Sequence, residues 1–229
     1  MNNKNCALKL IEEKFIYYSK KIVLNLTPPI LLKVIDKILP KPKDDPNLLF
    51  DGDDKVFKEM VSKVNIYGEY GVGKSTVWVS NNTNANIISV DSDKQWIKKI
   101  KPKLSSKTQS HFFYIDLGKL EGWGRPKSYS KRDKFIKYVN SIWMLKKKPE
   151  LVLIDGRFRV CCFLTALKYG KPGSIIVFDD YRDREYYHFV EEFVKPSYMN
   201  GRQAIFYIPT NIDQGKVDEF IQKFIFVMD

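Results

Sequence analysis

Five apolar segments alternate with helical ones between residues 61 and 194, and nothing else in the chain constrains its fold as strongly. VSKVNIY reads as a short strand ending at Gly68, NIISV as a second ending at Asp91, and HFFYIDL as a third. LVLID and SIIVFDD read as the fourth and fifth. The first intervening helix opens near Gly73 and ends in Asn81–Asn82, and DKQWIKKI forms the next, closed by Pro102. In KRDKFIKYVNSIWML, Phe135, Ile136, Val139, Ile142 and Trp143 share one helical face. RVCCFLTALKYG reads as a buried helix with Gly170 at its cap, and REYYHFVEEFV as another helix. Strands that alternate with helices call for a parallel, doubly wound sheet. The rhythm then changes. PSYM, Asn200–Gly201 and RQAIFYIP predict a hairpin, because Asn-Gly suits a tight type I′ turn. VDEFIQKFIFV is a closing helix or strand, and its periodicity leaves both open.

Residues 1–60 differ from the rest and read as a basic helical N-terminal extension. Leu8, Ile11, Phe15, Tyr18 and Ile22 have helical spacing, Pro28–Pro29 break it, and Ile30–Leu39 is a second short amphipathic helix. Residues 1–43 hold nine Lys against Glu12, Glu13 and Asp36, a net +6. Such a segment either packs on the core as a lid or contacts an anionic membrane or a glycosyltransferase partner. Residues 43–54 read as an acidic loop. The whole chain carries +12, which points to nucleic acid, an anionic membrane or a phosphate-bearing substrate. Three Cys, two of them the neighbours Cys161 and Cys162, exclude a disulfide scaffold and suit a reducing compartment. With only His111 and His188 and no CxxC, a zinc site is not expected. No apolar run reaches a membrane span and no signal-peptide pattern opens the chain, so the expected location is cytoplasmic, with peripheral membrane contact as a variant.

Gly68–Ser75 (GEYGVGKS) fits the phosphate-binding pattern GxxxxGK[ST] and lies between a strand and a helix, the context of an ATPase or kinase. Two acids argue against it. Glu69 inside the loop would repel a triphosphate. Asp91 ends the second strand about 20 residues beyond the glycines, where an acid grips ribose hydroxyls. S-adenosylmethionine (SAM) suits both, being a nucleoside with a cationic tail. Glu69 would accept from its ammonium, Gly71 and Gly73 would let the backbone approach, and Asp91 would take the ribose hydroxyls. Asp116 and Leu117 would line the adenine edge, and Ser75 on the first helical turn is grouped with them.

At these residues the chain resembles the class I SAM-dependent methyltransferases, from Lys63 to Pro209. The resemblance implies a Rossmann-like α/β domain over residues 61–229. Its doubly wound sheet would have seven strands, mostly parallel with a C-terminal antiparallel hairpin. It also implies methyl transfer to an oxygen nucleophile.

LVLIDGRFRVCCFLTALKYGKPGSIIVFDDY resembles a narrower group, the metal-dependent O-methyltransferases of the macrocin and sugar-modifying type. That likeness implies a Mg²⁺ or Mn²⁺ site at Asp155, Asp179 and Asp180, and as acceptor a sugar hydroxyl on a glycan or nucleotide-sugar. The chain departs from the pattern at Arg157, which replaces the acid taken as base, and at Phe158, which replaces a His. Asp155 or His188 is then the candidate base, while Arg157 and Arg159 would grip a phosphate or carboxylate on the acceptor. An RNA or cap methyltransferase is the alternative within the same fold, and the charge favours it. Trp123, in the loop EGWGRP, is a candidate lining of the acceptor pocket.

Overall fold

Seven strands form one sheet in the order β3-β2-β1-β4-β5-β7-β6. They are β1 (Ile66–Tyr70), β2 (Asn86–Asp91), β3 (Ser110–Tyr114), β4 (Leu151–Ile154), β5 (Ile175–Phe178), β6 (Tyr198–Asn200) and β7 (Gln203–Tyr207). The structure is a computed structural model, and it describes residues 48–50 and 54–229. These belong to one compact unit, Leu48–Asp229. The helices expected between residues 8 and 39 lie outside the described residues, as does most of the acidic loop.

The first five strands pair in parallel, while β7 runs antiparallel to β5 and β6 antiparallel to β7. The expected sheet and its closing hairpin are therefore present. Alternation along the central strands explains why both faces are covered. Val152 and Ile154 of β4, with Ile176 and Phe178 of β5, enter one apolar cluster. Leu151, Leu153 and Val177 enter the other. Strands apolar on both faces need helices on both sides.

Six α-helices supply that cover: α1 (Lys55–Val61), α2 (Lys74–Asn82), α3 (Lys94–Ile100), α4 (Phe135–Asn140), α5 (Arg159–Tyr169) and α6 (Gln214–Phe224). Phe57 and Val61 of α1 and Val79 of α2 join the second cluster, whereas α4, α5 and α6 pack on the first. Asp54 ties residues 49 and 50 to α1 by accepting from their N–H groups at 2.7 and 3.2 Å. So α1 is part of the sheet unit. The closing segment that periodicity left open is the helix α6. No helix among the described residues is long and apolar enough to cross a membrane.

Two expected helices are shorter or tighter than their patterns suggest. The stretch around residues 131–145 breaks into a 3₁₀ turn (Tyr129–Lys134), α4, and a second 3₁₀ turn (Ser141–Trp143). Ser141 Oγ donates back to the Tyr138 carbonyl at 2.8 Å, a local bond that competes with a continuing helix. Glu185–Glu192 is also 3₁₀, with Tyr187 and Val190 buried; residues three apart eclipse in that geometry and bury together.

Candidate active site

The strand order reverses between β1 and β4, and the loops leaving their carboxyl ends define a crevice of the kind that binds ligands in open α/β sheets. The β1–α2 connection is only Gly71, Val72 and Gly73, because β1 extends to Tyr70 and α2 begins at Lys74. Gly68 lies within the strand, paired with Ile88 and Val152. All three loop N–H groups are engaged internally. Gly71 donates to the Val90 carbonyl at 2.9 Å, Val72 to Asp91 Oδ2 at 2.8 Å and Gly73 to Thr76 Oγ1 at 2.8 Å. A phosphate cradle needs a longer loop with free donors. The GxxxxGK[ST] match therefore does not form a triphosphate site.

Glycine is required at two places in this turn. Gly71 has φ +92, and a Cβ there would sit 2.8 Å from the Asp155 carbonyl oxygen. Gly156 faces it, and a Cβ there would meet Tyr138 Oη at 2.4 Å and Gly71 N at 2.9 Å. The loops after β1 and β4 thus touch backbone to backbone. At Gly73 a Cβ would meet nothing within 4 Å, so this position opens on the crevice.

Asp91 is positioned as expected. Its Oδ2 holds the Val72 N–H and its Oδ1 the Asp93 N–H at 2.8 Å, and burial raises its pKa despite these bonds. Each carboxylate oxygen has a second lone pair, so two further hydroxyls can be accepted. Asp116 lies two residues beyond β3, 52% exposed, with Oδ1 accepting from Gly118 N–H at 2.9 Å; Leu117 beside it is buried. Trp123 is 95% exposed in a loop fixed by Ser92 Oγ donating to the Gly124 carbonyl at 2.9 Å.

Glu69 and Ser75 are not where a ligand could touch them. Glu69 points under α2, fully buried. Its Oε1 accepts from Thr76 Oγ1 at 2.6 Å and Ser89 Oγ at 2.7 Å. Its Oε2 accepts from Tyr67 Oη at 2.8 Å and Ser75 Oγ at 3.2 Å. Burial pushes its pKa up to about 7 against the pull of these four hydroxyls. The expected contact between Glu69 and an ammonium is corrected accordingly. Its carboxylate fastens the first turn of α2 to β1, and Thr76 passes that restraint to the Gly73 N–H. The Ser75 hydroxyl is used on Glu69 in the same way.

Asp155, Asp179 and Asp180 converge as expected, with one oxygen from each lying within 4.8 Å of the others. Their charge is already compensated. Arg202 forks onto buried Asp179, Nε to Oδ1 at 3.0 Å and Nη2 to Oδ2 at 2.6 Å, and Gln203 Nε2 adds a bond to Oδ1 at 2.9 Å. Arg159 joins Asp155 and Asp180, each at 3.1 Å. Arg184 reaches Asp180 at 2.8 Å. Three carboxylates and three guanidinium groups balance. A divalent ion would have to displace these cations while adding positive charge among them, so the donor set does not fit a metal. Like-charge repulsion, the reason for expecting an ion, is relieved by arginines.

Asp155 is the carboxylate of the three that remains most available. Arg159 Nη2 holds its Oδ1, Oδ2 makes no hydrogen bond among the described residues, and the side chain is 36% exposed. Crowding by surrounding atoms, then repulsion from Asp179, raises its pKa above the usual carboxylate range despite Arg159. His188 could act as a base only through Nδ1. Its Nε2 lies 3.1 Å from the Tyr181 carbonyl, which can only accept, so that nitrogen carries the proton. Arg157 donates its backbone N–H to Tyr138 Oη at 3.3 Å, and its side-chain Nε is buried without a partner among the described residues. Arg184, Arg202, Tyr187 and Asp229 complete the cluster. They were not foreseen from sequence: Arg202 and Asp229 lie far along the chain from the strand ends they reach, and only Arg184, four residues after Asp180, carries a local signal. Phe158 (φ 57) and Asp180 (φ 57), both left-handed, flank the cluster, and such backbone strain concentrates at functional sites.

Sheet order, glycine turn and acidic strand ends together define a Rossmann-like α/β domain with a ligand crevice where the strand order reverses. No protein-family model matches the chain, and no curated protein matches it. Among solved structures it is similar to a methyltransferase-like protein from Silicibacter pomeroyi DSS-3, at 26% identity over 82% of this chain and 96% of that one, with a TM-score of 0.67. More distant matches include an RNA methyltransferase from Salinibacter ruber in complex with S-adenosyl-L-homocysteine, at 13% identity, 77% and 97% coverage and a TM-score of 0.41. Another is the N-methyltransferase NodS from Bradyrhizobium japonicum, at 12% identity, 77% and 97% coverage and a TM-score of 0.44.

Proposed function

We propose that the chain is a SAM-dependent O-methyltransferase whose acceptor is a sugar hydroxyl, on a glycan or a nucleotide-sugar. The observation that carries this reading is Asp155, a partly exposed carboxylate of raised pKa at the end of β4, next to the glycine turn. A base works best when its pKa lies near the operating pH. The methyltransferase-like relative supports the cofactor, and the likeness of residues 151–181 to sugar-modifying O-methyltransferases supports the acceptor.

The cofactor fits the crevice by two features: the open side of Gly73 and the free acceptor capacity of Asp91. Asp91 would hold ribose hydroxyls, Asp116 and Leu117 the adenine edge, and the Gly71–Gly73 backbone the amino-acid end. Bound there, SAM supplies an electrophilic methyl group. The chain itself orients one acceptor oxygen and removes one proton, and no covalent enzyme intermediate is needed. Arg159 fixes Asp155 through Oδ1, which leaves Oδ2 to accept the acceptor's proton. No metal step enters. Residues 1–43, with their lysines, would dock the enzyme on an anionic membrane or a glycosyltransferase.

The test is transfer of labelled methyl from SAM to nucleotide-sugars, short glycans and RNA, with Asp155→Asn alongside. The reading expects label on sugars. It also expects Asp155→Asn to lose roughly 10²-fold or more in kcat with S-adenosylhomocysteine affinity unchanged. The rate should rise with pH through a value above the ~4 of an ordinary carboxylate, because only ionised Asp155 accepts a proton. Label on RNA alone would replace the sugar assignment, and full activity in Asp155→Asn would remove Asp155 as base.

A further inference from the structure

The amino end of α5 has no cap from its own neighbour. Phe158 at the N-cap is apolar and left-handed, and its side chain offers no capping hydrogen bond. The cap comes from the segment that follows α6, where Asp229 Oδ1 accepts the Arg159 backbone N–H at 2.9 Å. The fit is incomplete. Asp229 Oδ2 is buried without a hydrogen-bond partner among the described residues, and so is Arg157 Nε. Burial raises the pKa of Asp229 against the pull of Arg159, Tyr187 and Arg157. Buried polar atoms are almost always paired, so an unmatched acceptor and an unmatched donor in one place mark an imperfect occupant.

Charge says the same. The Asp155, Asp179 and Asp180 cluster is balanced by Arg159, Arg184 and Arg202, so Arg157 is the surplus cation, and Asp229 is the anion that answers it. The segment carrying Asp229 is held by exposed groups: Arg125 Nε donates to the Met228 carbonyl at 2.9 Å, and Tyr129 Oη to the Phe226 carbonyl at 3.0 Å. Both carbonyl bonds come from the loop between β3 and α4, on the cofactor side of the crevice. Phe226 and Val227 are themselves 47% and 41% exposed.

We propose that the amino end of α5, with Arg157, is the subsite for an anionic group on the acceptor, a phosphate or a carboxylate, and that Asp229 fills it as a displaceable stand-in. Only the word acceptor depends on the methyltransferase reading. The placement suits the chemistry, because Arg159 presents its backbone N–H to the anion and its guanidinium to Asp155. An acceptor anchored here brings its hydroxyl toward the base. A phosphate, with three acceptor oxygens, can meet both the Arg159 N–H and Arg157, which the Asp229 carboxylate does not.

Calorimetric titration of inorganic phosphate, and separately of acetate, into the full chain, Asp229→Ala, Asp229→Asn and Asp229→Ala/Arg157→Gln tests this at fixed ionic strength. Near-ultraviolet circular dichroism is the folding control, and S-adenosylhomocysteine is titrated in parallel. Removing the Asp229 charge should raise affinity for one or both anions by about tenfold or more, and Arg157→Gln should cancel the gain. The anion that gains more names the acceptor's group. If neither Asp229 variant gains affinity while folded, or the gain survives Arg157→Gln, the subsite is refuted. Should Asp229→Ala fail to fold, Asp229→Asn, of nearly equal size, decides alone. Anion gain without S-adenosylhomocysteine binding would keep the subsite and overturn the methyltransferase reading.

Discussion

Glu69 shows how a single residue type can be read correctly and placed wrongly. An acid beside the glycine turn does argue against a triphosphate, and the loop geometry agrees. Its contact is with four hydroxyls under α2 rather than with a ligand. The signal was present in the strand period: Tyr67 and Glu69 lie two apart, so they share the face that α2 covers. Burial makes Glu69 a pH-dependent element of stability. Its folded pKa lies near 7, above its ordinary 4.5, so its stabilising contribution is complete below 4.5 and is lost as pH rises through 7. The stability of the protein relative to Glu69→Gln should therefore fall by about 3 kcal/mol between those limits, measured by urea unfolding across pH. A difference that stays flat with pH would mean that Glu69 titrates in the folded protein as it does in the unfolded chain. Asp91 was legible in position, because an acid ending the second strand has one natural place in such a sheet. Asp91→Ala should weaken S-adenosylhomocysteine binding by about 1–3 kcal/mol.

Among the elements, the strands were legible and the irregular helices were not. Both-face burial leaves long apolar runs such as LVLI, and Asn-Gly announces its turn. The 3₁₀ segments at Ser141–Trp143 and Glu185–Glu192 carry helical periodicity, and what tightens them is a serine back-bond and tertiary packing, neither of which a periodic pattern encodes. The β1–α2 turn makes a sharper prediction, because its two glycines differ. Gly71→Ala meets a positive φ and the Asp155 carbonyl, so it should destabilise the fold by about 2 kcal/mol or more in thermal or denaturant unfolding. Gly73→Ala meets open space and should change stability by only about 0.5 kcal/mol while weakening S-adenosylhomocysteine binding, since the new methyl projects into the crevice. Equal stability losses at the two positions would contradict the crevice as drawn.

At the scale of the molecule, sequence located the three strand-end acids but not what neutralises them. Arg184 follows Asp180 by four residues, whereas Arg202 comes from a hairpin further along the chain, and only the antiparallel return of β7 brings Arg202 and Gln203 onto Asp179. With that balance in place, methyl transfer should persist in excess chelator and gain nothing from added Mg²⁺ or Mn²⁺. Loss of activity on chelation, restored by metal, would mean that an ion displaces the guanidinium groups. Bonds to Val90, Asp91 and Thr76 likewise turn a loop that matches a phosphate-loop pattern letter for letter into one whose three N–H groups are already engaged. The crevice suits a nucleoside with an amino-acid tail and not a triphosphate. Titrating S-adenosylhomocysteine and Mg-ATP in parallel into the full chain and into Lys74→Ala tests it most directly. S-adenosylhomocysteine should bind with affinity on the order of micromolar, nearly unchanged in Lys74→Ala, and ATP should bind weakly. Tight magnesium-dependent ATP binding that Lys74→Ala abolishes would contradict this reading.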